Sequence, residues 1–175
     1  YPFRFRSGQR MFDEVVYLKN KYPPLELIRF SNNIDNGKMK ALDEFCDLMI
    51  ESGLNKEISW SMESSVVRKE MRKPFYEKMK KAGCTFITYG VETPVKHLLE
   101  KVGKTLALHE DVDLPAILRE GKEAGLSITI NIMFGLPGET EEDFQYLLKF
   151  VEENKDALIM VNPAIQFCKY YAGSS

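Results

Sequence analysis

The sequence has few of the residues that build metal or disulfide frameworks. Its three cysteines, Cys46, Cys84 and Cys168, lie too far apart for a CxxC metal motif or for the dense pattern of a secreted disulfide-linked domain. Its two histidines, His97 and His109, do not form the HxxxH pair of a zinc helix. We therefore expect reduced thiols that pack in the core, and the sequence offers no metal ligands of its own.

The sequence also lacks an excess of charge of either sign and lacks a long apolar run. With 24 Lys+Arg against 26 Asp+Glu, the formal net charge is -2, so no basic surface for a nucleic acid is expected. No apolar run approaches the roughly 20 residues that span a bilayer, and the first six residues lack the apolar core of a secretory signal. These absences predict a cytoplasmic protein with neither a membrane nor a nucleic-acid partner.

Hydrophobic residues make up 44% of the 175 residues, which suits one globular domain over residues 1–175. Gly53, Gly83 and Gly125 each close a predicted helix just before a predicted strand. The predicted helices cover 7–21, 38–52, 74–82, 95–101, 114–124 and 141 onward, and the predicted strands cover 25–30, 58–62, 85–91, 127–134 and 158–165. Such units in series predict a parallel sheet, although periodicity leaves open whether it forms a part-barrel or a doubly wound sheet.

Polar and backbone-exposing residues stand at the ends of the predicted strands, where loops and helix N-termini carry function in parallel α/β folds. They are Ser31, Asn32 and Asn33, then Glu63, then Glu92, and finally Asn131 with Gly135, Leu136 and Pro137. A turn held by side-chain hydrogen bonds is the alternative for the first three, and a solvated loop carboxylate is the alternative for Glu63. Glu92 ends an apolar strand, where burial of an unpaired charge would be costly. Both a ligand contact and a structural role stay open for this residue.

The segment 134–140 brings two glycines and a proline to a strand end just before a helix N-terminus. This segment has two interpretations. One is a tight turn that leads into a capped helix, and the other is a phosphate-binding loop that uses the same backbone amides. Four acidic residues crowd this helix end, namely Glu139, Glu141, Glu142 and Asp143. The acidic rim therefore suits a ligand with hydroxyls, amines or a positive centre better than it suits a phosphoester.

Five segments, in order, resemble the core of the radical S-adenosylmethionine (SAM) enzymes. They are IRFSNN at 28–33, SME at 61–63, YGVET at 89–93, LEKVGK at 99–104 and NIMFGLPGET at 131–140. The closest resemblance is to members with an upstream cobalamin-binding domain, through the phrase GCTFITYGVE at 83–92. The resemblance implies a parallel (β/α) partial TIM barrel, truncated to about five strands, with the first strand missing.

The resemblance also implies a function, that of the central part of a radical SAM catalytic domain. In that family SAM lies beside a [4Fe-4S] cluster held by a CxxxCxxC motif, and an electron from the cluster cleaves SAM to a 5′-deoxyadenosyl radical. This sequence has no CxxxCxxC motif, so we expect a fragment of a longer enzyme that is inactive alone. Its parent would act on an unknown substrate and hold any cobalamin through another domain. The missing strand would leave a sheet edge open to self-association.

The resemblance assigns SAM contacts to the candidate residues and makes none of them catalytic or metal-binding. It places Ser31, Asn32 and Asn33 near the amino group of SAM, Glu63 near the methionine moiety, Glu92 and Asn131 at the ribose, Lys104 at the carboxylate, and the backbone of Gly135, Leu136 and Pro137 against adenine. Two other interpretations stay open. One is a lyase or aldolase that uses Glu92 or Lys104, and the other is a non-catalytic α/β interaction module.

Overall fold

The computed structural model describes residues 4–31, 34–101 and 112–164. Within these ranges the helices are α1 (Gly8–Lys21), α2 (Met39–Ser52), α3 (Lys73–Lys81), α4 (Lys96–Lys101), α5 (Leu114–Glu123) and α6 (Glu141–Asn154). The strands are β1 (Leu27–Phe30), β2 (Ser59–Ser65), β3 (Cys84–Glu92), β4 (Ser127–Met133) and β5 (Met160–Ala164). Among the predicted residues, Asn32, Asn33, Lys104, His109 and Cys168 lie outside the described ranges.

The five strands form one parallel sheet in the order β1-β2-β3-β4-β5. A barrel requires this sequential order, whereas a doubly wound sheet reverses its strand order at a switch point. The order therefore confirms the predicted part-barrel and removes the doubly wound alternative. Within the described ranges β1 and β5 do not pair with each other, so the sheet is open.

One face of the sheet is apolar and packs on the helices. Its largest buried side chains include Trp60, Met62, Ile87, Tyr89, Ile128 and Ile130, which share one core with residues of α2, α3 and α5. Phe30 of β1, Phe45 of α2 and Trp60 of β2 pack edge to face, with ring centroids 5.2 to 5.9 Å apart. The helices therefore cover a single face of the sheet.

Local signals set the helix ends much as the sequence predicts. Ser7 caps α1 by accepting a hydrogen bond from the Arg10 amide, and Gly53 ends α2 with a φ of 78°. The hydrophobic spacing in α6 predicts a buried stripe of Phe144, Leu147, Leu148 and Val151, but this prediction is wrong for Leu148, which is 43% exposed. A helix turns about 100° per residue, which carries Leu148 away from buried Leu147 and puts Phe150 in the core instead. None of the helices in the described ranges is long and apolar enough to cross a bilayer.

A charged contact joins the start of α3 to α5. The guanidinium Nε of Arg72 donates to Glu120 at 2.9 Å, and the backbone amide of Lys73 donates to the same carboxylate at 2.7 Å. The hydrogen bond from Arg72 is the largest cause that lowers the pKa of Glu120 from 4.5 to about 2. Arg72 is half exposed, so solvent screens the pair and limits its contribution to stability.

We expect Glu120→Gln to lower the free energy of unfolding near neutral pH by about 1 kcal/mol. The stabilisation from ionised Glu120 is fully present above its ordinary pKa and is lost as the pH falls from 4.5 to about 2, so the variant should show a flatter loss of stability there. Urea unfolding at a series of pH values measures both effects. Glu123→Gln, which removes the partner of exposed Lys73, is the matched control, and an equal loss in that variant would contradict the assignment.

Candidate functional site

The face of the sheet opposite the core helices is polar, which is unusual for parallel strands. Alternating with the apolar core residues are Ser61, Glu63, Thr88, Thr129, Asn131 and Asn162. Two contacts confirm that neighbours in this set share a face. The Ser61 hydroxyl donates to Glu63 at 3.1 Å, and the Asn162 amide donates to the Asn131 side-chain oxygen at 3.1 Å. We call this surface the polar face.

The predicted residues that fall in the described ranges gather where the strands end. Ser31 directly follows β1 and is exposed, while Asn131 lies inside β4 and is half-buried. Phe30 pairs with Met62, so Ser31 and Glu63 each lie one residue beyond a paired position on neighbouring strands. The prediction that Glu63 follows the second strand is wrong, because β2 continues across an irregularity in register to Ser65.

Glu92 ends β3 in a strained conformation. Its φ of 62° is the only positive φ of a non-glycine residue in the described ranges. The amide of Thr93 donates to the Val91 carbonyl at 2.7 Å and closes a three-residue turn around Glu92. The register against β4 also shifts between Gly90 and Glu92. Such strain costs on the order of 1 to 3 kcal/mol and gathers at functional sites, so Glu92 is the strongest candidate on the rim.

The turn after β4 is fixed by hydrogen bonds. The amide of Glu139 donates to the Leu136 carbonyl at 2.9 Å, with Pro137 and Gly138 (φ 78°) at the centre, as in a type II turn. The Glu139 carboxylate accepts from the amides of Gly135 and Leu136, the latter at 3.2 Å. The sequence predicts that Glu139 belongs to an acidic rim that repels a phosphate, whereas its carboxylate turns back onto this turn.

Helix α4 connects the Glu92 turn to the turn after β4. The Thr93 hydroxyl accepts from the Val95 amide at 3.2 Å at the start of α4, and buried Leu136 packs against Val95 and Leu98. His97 Nε2 lies 3.3 Å from Asp143 of α6. The pKa of Asp143 is lowered, chiefly because its carboxylate accepts from the Thr140 amide in a capping box. The two strand ends are therefore held by one continuous set of contacts.

The described residues do not fit an iron–sulfur cluster. Cys46 and Cys84 are fully buried, as their predicted packing requires. Burial raises the pKa of the Cys84 thiol to about 12 and that of Cys46 well above its ordinary value, so both stay protonated and are poor ligands. Within the described ranges no three His, Cys, Asp or Glu side chains are grouped so that they could hold a metal ion.

The middle of the polar face was not among the predicted positions, which covered only strand ends. Ser61, Thr88 and Thr129 are 3%, 5% and 0% exposed, and the Thr129 hydroxyl is buried without a hydrogen-bond partner among the described residues. The sequence signal for these positions is the strict alternation in SWSME and SITIN. A buried hydroxyl ordinarily binds a water molecule or another polar group.

Curated and solved proteins are similar to this chain in sequence or in fold. An uncharacterized methyltransferase of Pyrococcus horikoshii is 26% identical over 151 residues, which cover 86% of this chain and 31% of that protein. The radical SAM methyltransferase TsrM of Kitasatospora setae, solved with cobalamin and a [4Fe-4S] cluster, is 16% identical with a TM-score of 0.73 over 90% of this chain and 31% of that one. Coproporphyrinogen III oxidase (HemN) of Escherichia coli, a radical SAM enzyme, is 17% identical with a TM-score of 0.60 over 89% of this chain and 37% of that one.

The solved structures share the fold of this sheet, and the chain spans about a third of the length of the proteins it matches. The family model described as "Radical SAM superfamily" matches residues 2–151, well over half of the sequence. The sequential parallel sheet with its polar strand ends is the partial barrel expected of that family. The chain therefore belongs to the radical SAM superfamily.

Proposed function

We propose that this chain is the part of a radical SAM catalytic domain that binds SAM at the carboxyl ends of β1 to β4. The observation that carries the proposal is strained Glu92, which stands at the end of β3 between the polar residues of β2 and β4. In this family SAM supplies the sulfonium whose cleavage starts the reaction. The described residues offer no thiolates for a cluster, so the chain by itself is expected to be inactive.

The ribose end of SAM is assigned to β3 and β4. A carboxylate accepts hydrogen bonds from two neighbouring hydroxyls, so Glu92 would hold the ribose diol, and the Asn131 amide would add a second contact. Asn131 pairs with Gly90 across β3 and β4, and Gly90 contributes no side chain to the polar face. The proposal places the sugar ring over Gly90, beside Glu92. The backbone of Gly135, Leu136 and Pro137 would then face adenine.

The methionine end of SAM is assigned to β1 and β2. The Ser61 hydroxyl orients Glu63 by donating to its carboxylate at 3.1 Å, and a half-buried carboxylate at that position suits an ammonium or sulfonium group. Ser31, Asn32 and Asn33 would approach the amino group, and Lys104 would face the carboxylate. These last assignments rest on the family resemblance.

The whole enzyme is proposed to use SAM radical chemistry on a substrate that is still unidentified. The Pyrococcus relative and TsrM are both methyltransferases, which favours methyl transfer, with cobalamin held by another part of the polypeptide. The superfamily assignment removes the support for an aldolase or an interaction module. Self-association through β1, where Leu27 is 45% exposed, and a cytoplasmic location stay predictions.

In the longer enzyme, Glu92→Ala should weaken SAM binding about tenfold to a hundredfold, the value of a charged hydrogen-bond pair. Equilibrium binding of SAM measures the loss. Glu100→Ala is the matched control, because it removes an exposed carboxylate from nearby α4. Equal SAM affinity in the Glu92→Ala and Glu100→Ala enzymes would refute the ribose assignment.

Glu92→Gly should separate function from stability. Glycine adopts a φ of 62° without strain, so we expect the 175-residue chain to keep its free energy of unfolding or to gain up to about 1 kcal/mol. The same change should weaken SAM binding in the longer enzyme as strongly as Glu92→Ala. Urea unfolding of the chain measures the change in the free energy of unfolding. Clear destabilisation of Glu92→Gly would show that Glu92 stabilises the fold.

The 175-residue chain should not assemble a [4Fe-4S] cluster, because a cluster needs converging thiolates and both described thiols are buried and protonated. Anaerobic reconstitution with iron and sulfide, followed by iron counting and a 5′-deoxyadenosine assay, tests this expectation. About four irons per chain together with reductive SAM cleavage would contradict it. Joining a segment with a CxxxCxxC motif ahead of the chain should restore both.

A further inference from the structure

The turn after β4 contains a small group of backbone amides that is already filled by a side chain. The amides of Gly135 and Leu136 are adjacent in sequence and converge on one carboxylate oxygen of Glu139. Successive N–H groups that converge in this way form the backbone nests that bind anions. The anion in this nest is therefore supplied by the chain itself.

Glu139 holds the turn through its backbone as well as its side chain. The Glu139 amide donates to the Leu136 carbonyl at 2.9 Å, and the Glu139 carboxylate accepts from the Leu136 amide. Glu139 therefore binds both backbone groups of Leu136. The second carboxylate oxygen of Glu139 is buried and has no hydrogen-bond partner in the described ranges. All the hydrogen bonds seen for this carboxylate therefore go to the two amides of the turn.

The opposite side of the turn is fixed by α4. The Leu136 side chain is 3% exposed and packs against Val95 and Leu98. The Lys101 ammonium lies where a side chain on Gly138 would project, so the lysine closes over the outside of the turn. Packing thus fixes the side chain of Leu136, whereas the direction of the Gly135 and Leu136 peptides depends on Glu139.

We propose that Glu139 is a positioning residue, an internal anion that sets the backbone of the turn from Gly135 to Pro137 for contact with adenine. The adenine contact rests on the proposed function, whereas the filled amide nest does not. The proposal also explains why this glycine-rich turn is not a phosphate loop. Its amides are occupied, and removing the carboxylate should create a vacant site for a small external anion.

The first test uses the 175-residue chain and hydrogen–deuterium exchange of the Gly135 and Leu136 amides followed by NMR. Glu139→Ala should speed exchange at both amides about tenfold to a hundredfold, because each loses a charge-assisted hydrogen bond. Glu139→Gln should have a smaller effect, since its amide oxygen still accepts. Glu142→Ala is the matched control, because it removes an exposed carboxylate from the same helix end and should leave both exchange rates unchanged.

Sodium formate tests the nest directly. At constant ionic strength, formate should restore the protection of both amides in Glu139→Ala and should change nothing in the unaltered chain. Equal exchange rates of the two amides in Glu139→Ala and Glu142→Ala would overturn the nest. Formate that restores protection no better than chloride does would also overturn it. If Glu139→Ala fails to fold, the exchange rates of the two amides are compared between Glu139→Gln and the unaltered chain. Identical rates in these two proteins would also overturn the nest.

The second test measures SAM affinity in the longer enzyme. Glu139→Ala should weaken SAM binding at least about tenfold, with recovery in formate, whereas the loss in Glu92→Ala should not recover. Lost amide protection with unchanged SAM affinity in Glu139→Ala would overturn the positioning role. If Glu92→Ala also leaves SAM affinity unchanged, the proposed function fails, and the exchange result alone then supports the nest.

Discussion

The structure depends on the alternation of apolar and polar residues in the central parts of the parallel strands. In these parts of β2, β3 and β4 every second residue points to the helices and the residues between them point to the polar face, although irregularities in register interrupt the pattern in β2 and β3. The apolar half supplies a core that includes Trp60, Tyr89 and Ile130, all fully buried. The polar half is thereby lined with hydroxyl, amide and carboxylate groups. One pattern therefore provides both the buried core and the polar face.

Sequential strand order brings the carboxyl ends of the strands to one edge of the sheet. Parallel neighbours end at the same edge, so Ser31, Glu63, Glu92 and Asn131 all lie toward that edge although they are far apart in sequence. Helix α4 then joins the strained turn at Glu92 to the turn at Leu136. The proposed ribose and adenine contacts therefore lie at two turns that contact the same short helix.

The two described thiols show how burial separates structural cysteines from reactive ones. Cys46 lies on the core side of α2, and Cys84 begins β3 at the edge opposite the strand ends that carry the candidate residues. Desolvation keeps both protonated, so neither competes for iron. The two described thiols thus have structural roles, and a cluster would need thiolates other than these two.

The sequence by itself determined the alternation of strands and helices, the helix ends at Gly53 and Gly125, and the family resemblance, because these features depend on short-range propensity and spacing. Tertiary structure alone decided the strand order, the extension of β2 past Glu63, and the complete burial of Thr129. It also turned the Glu139 carboxylate inward onto the Gly135 and Leu136 amides. Strand order, the extension of β2 and the burial of Thr129 arise from contacts between distant residues, and the direction of the Glu139 side chain depends on how the turn packs against α4. Local periodicity carries no record of such contacts.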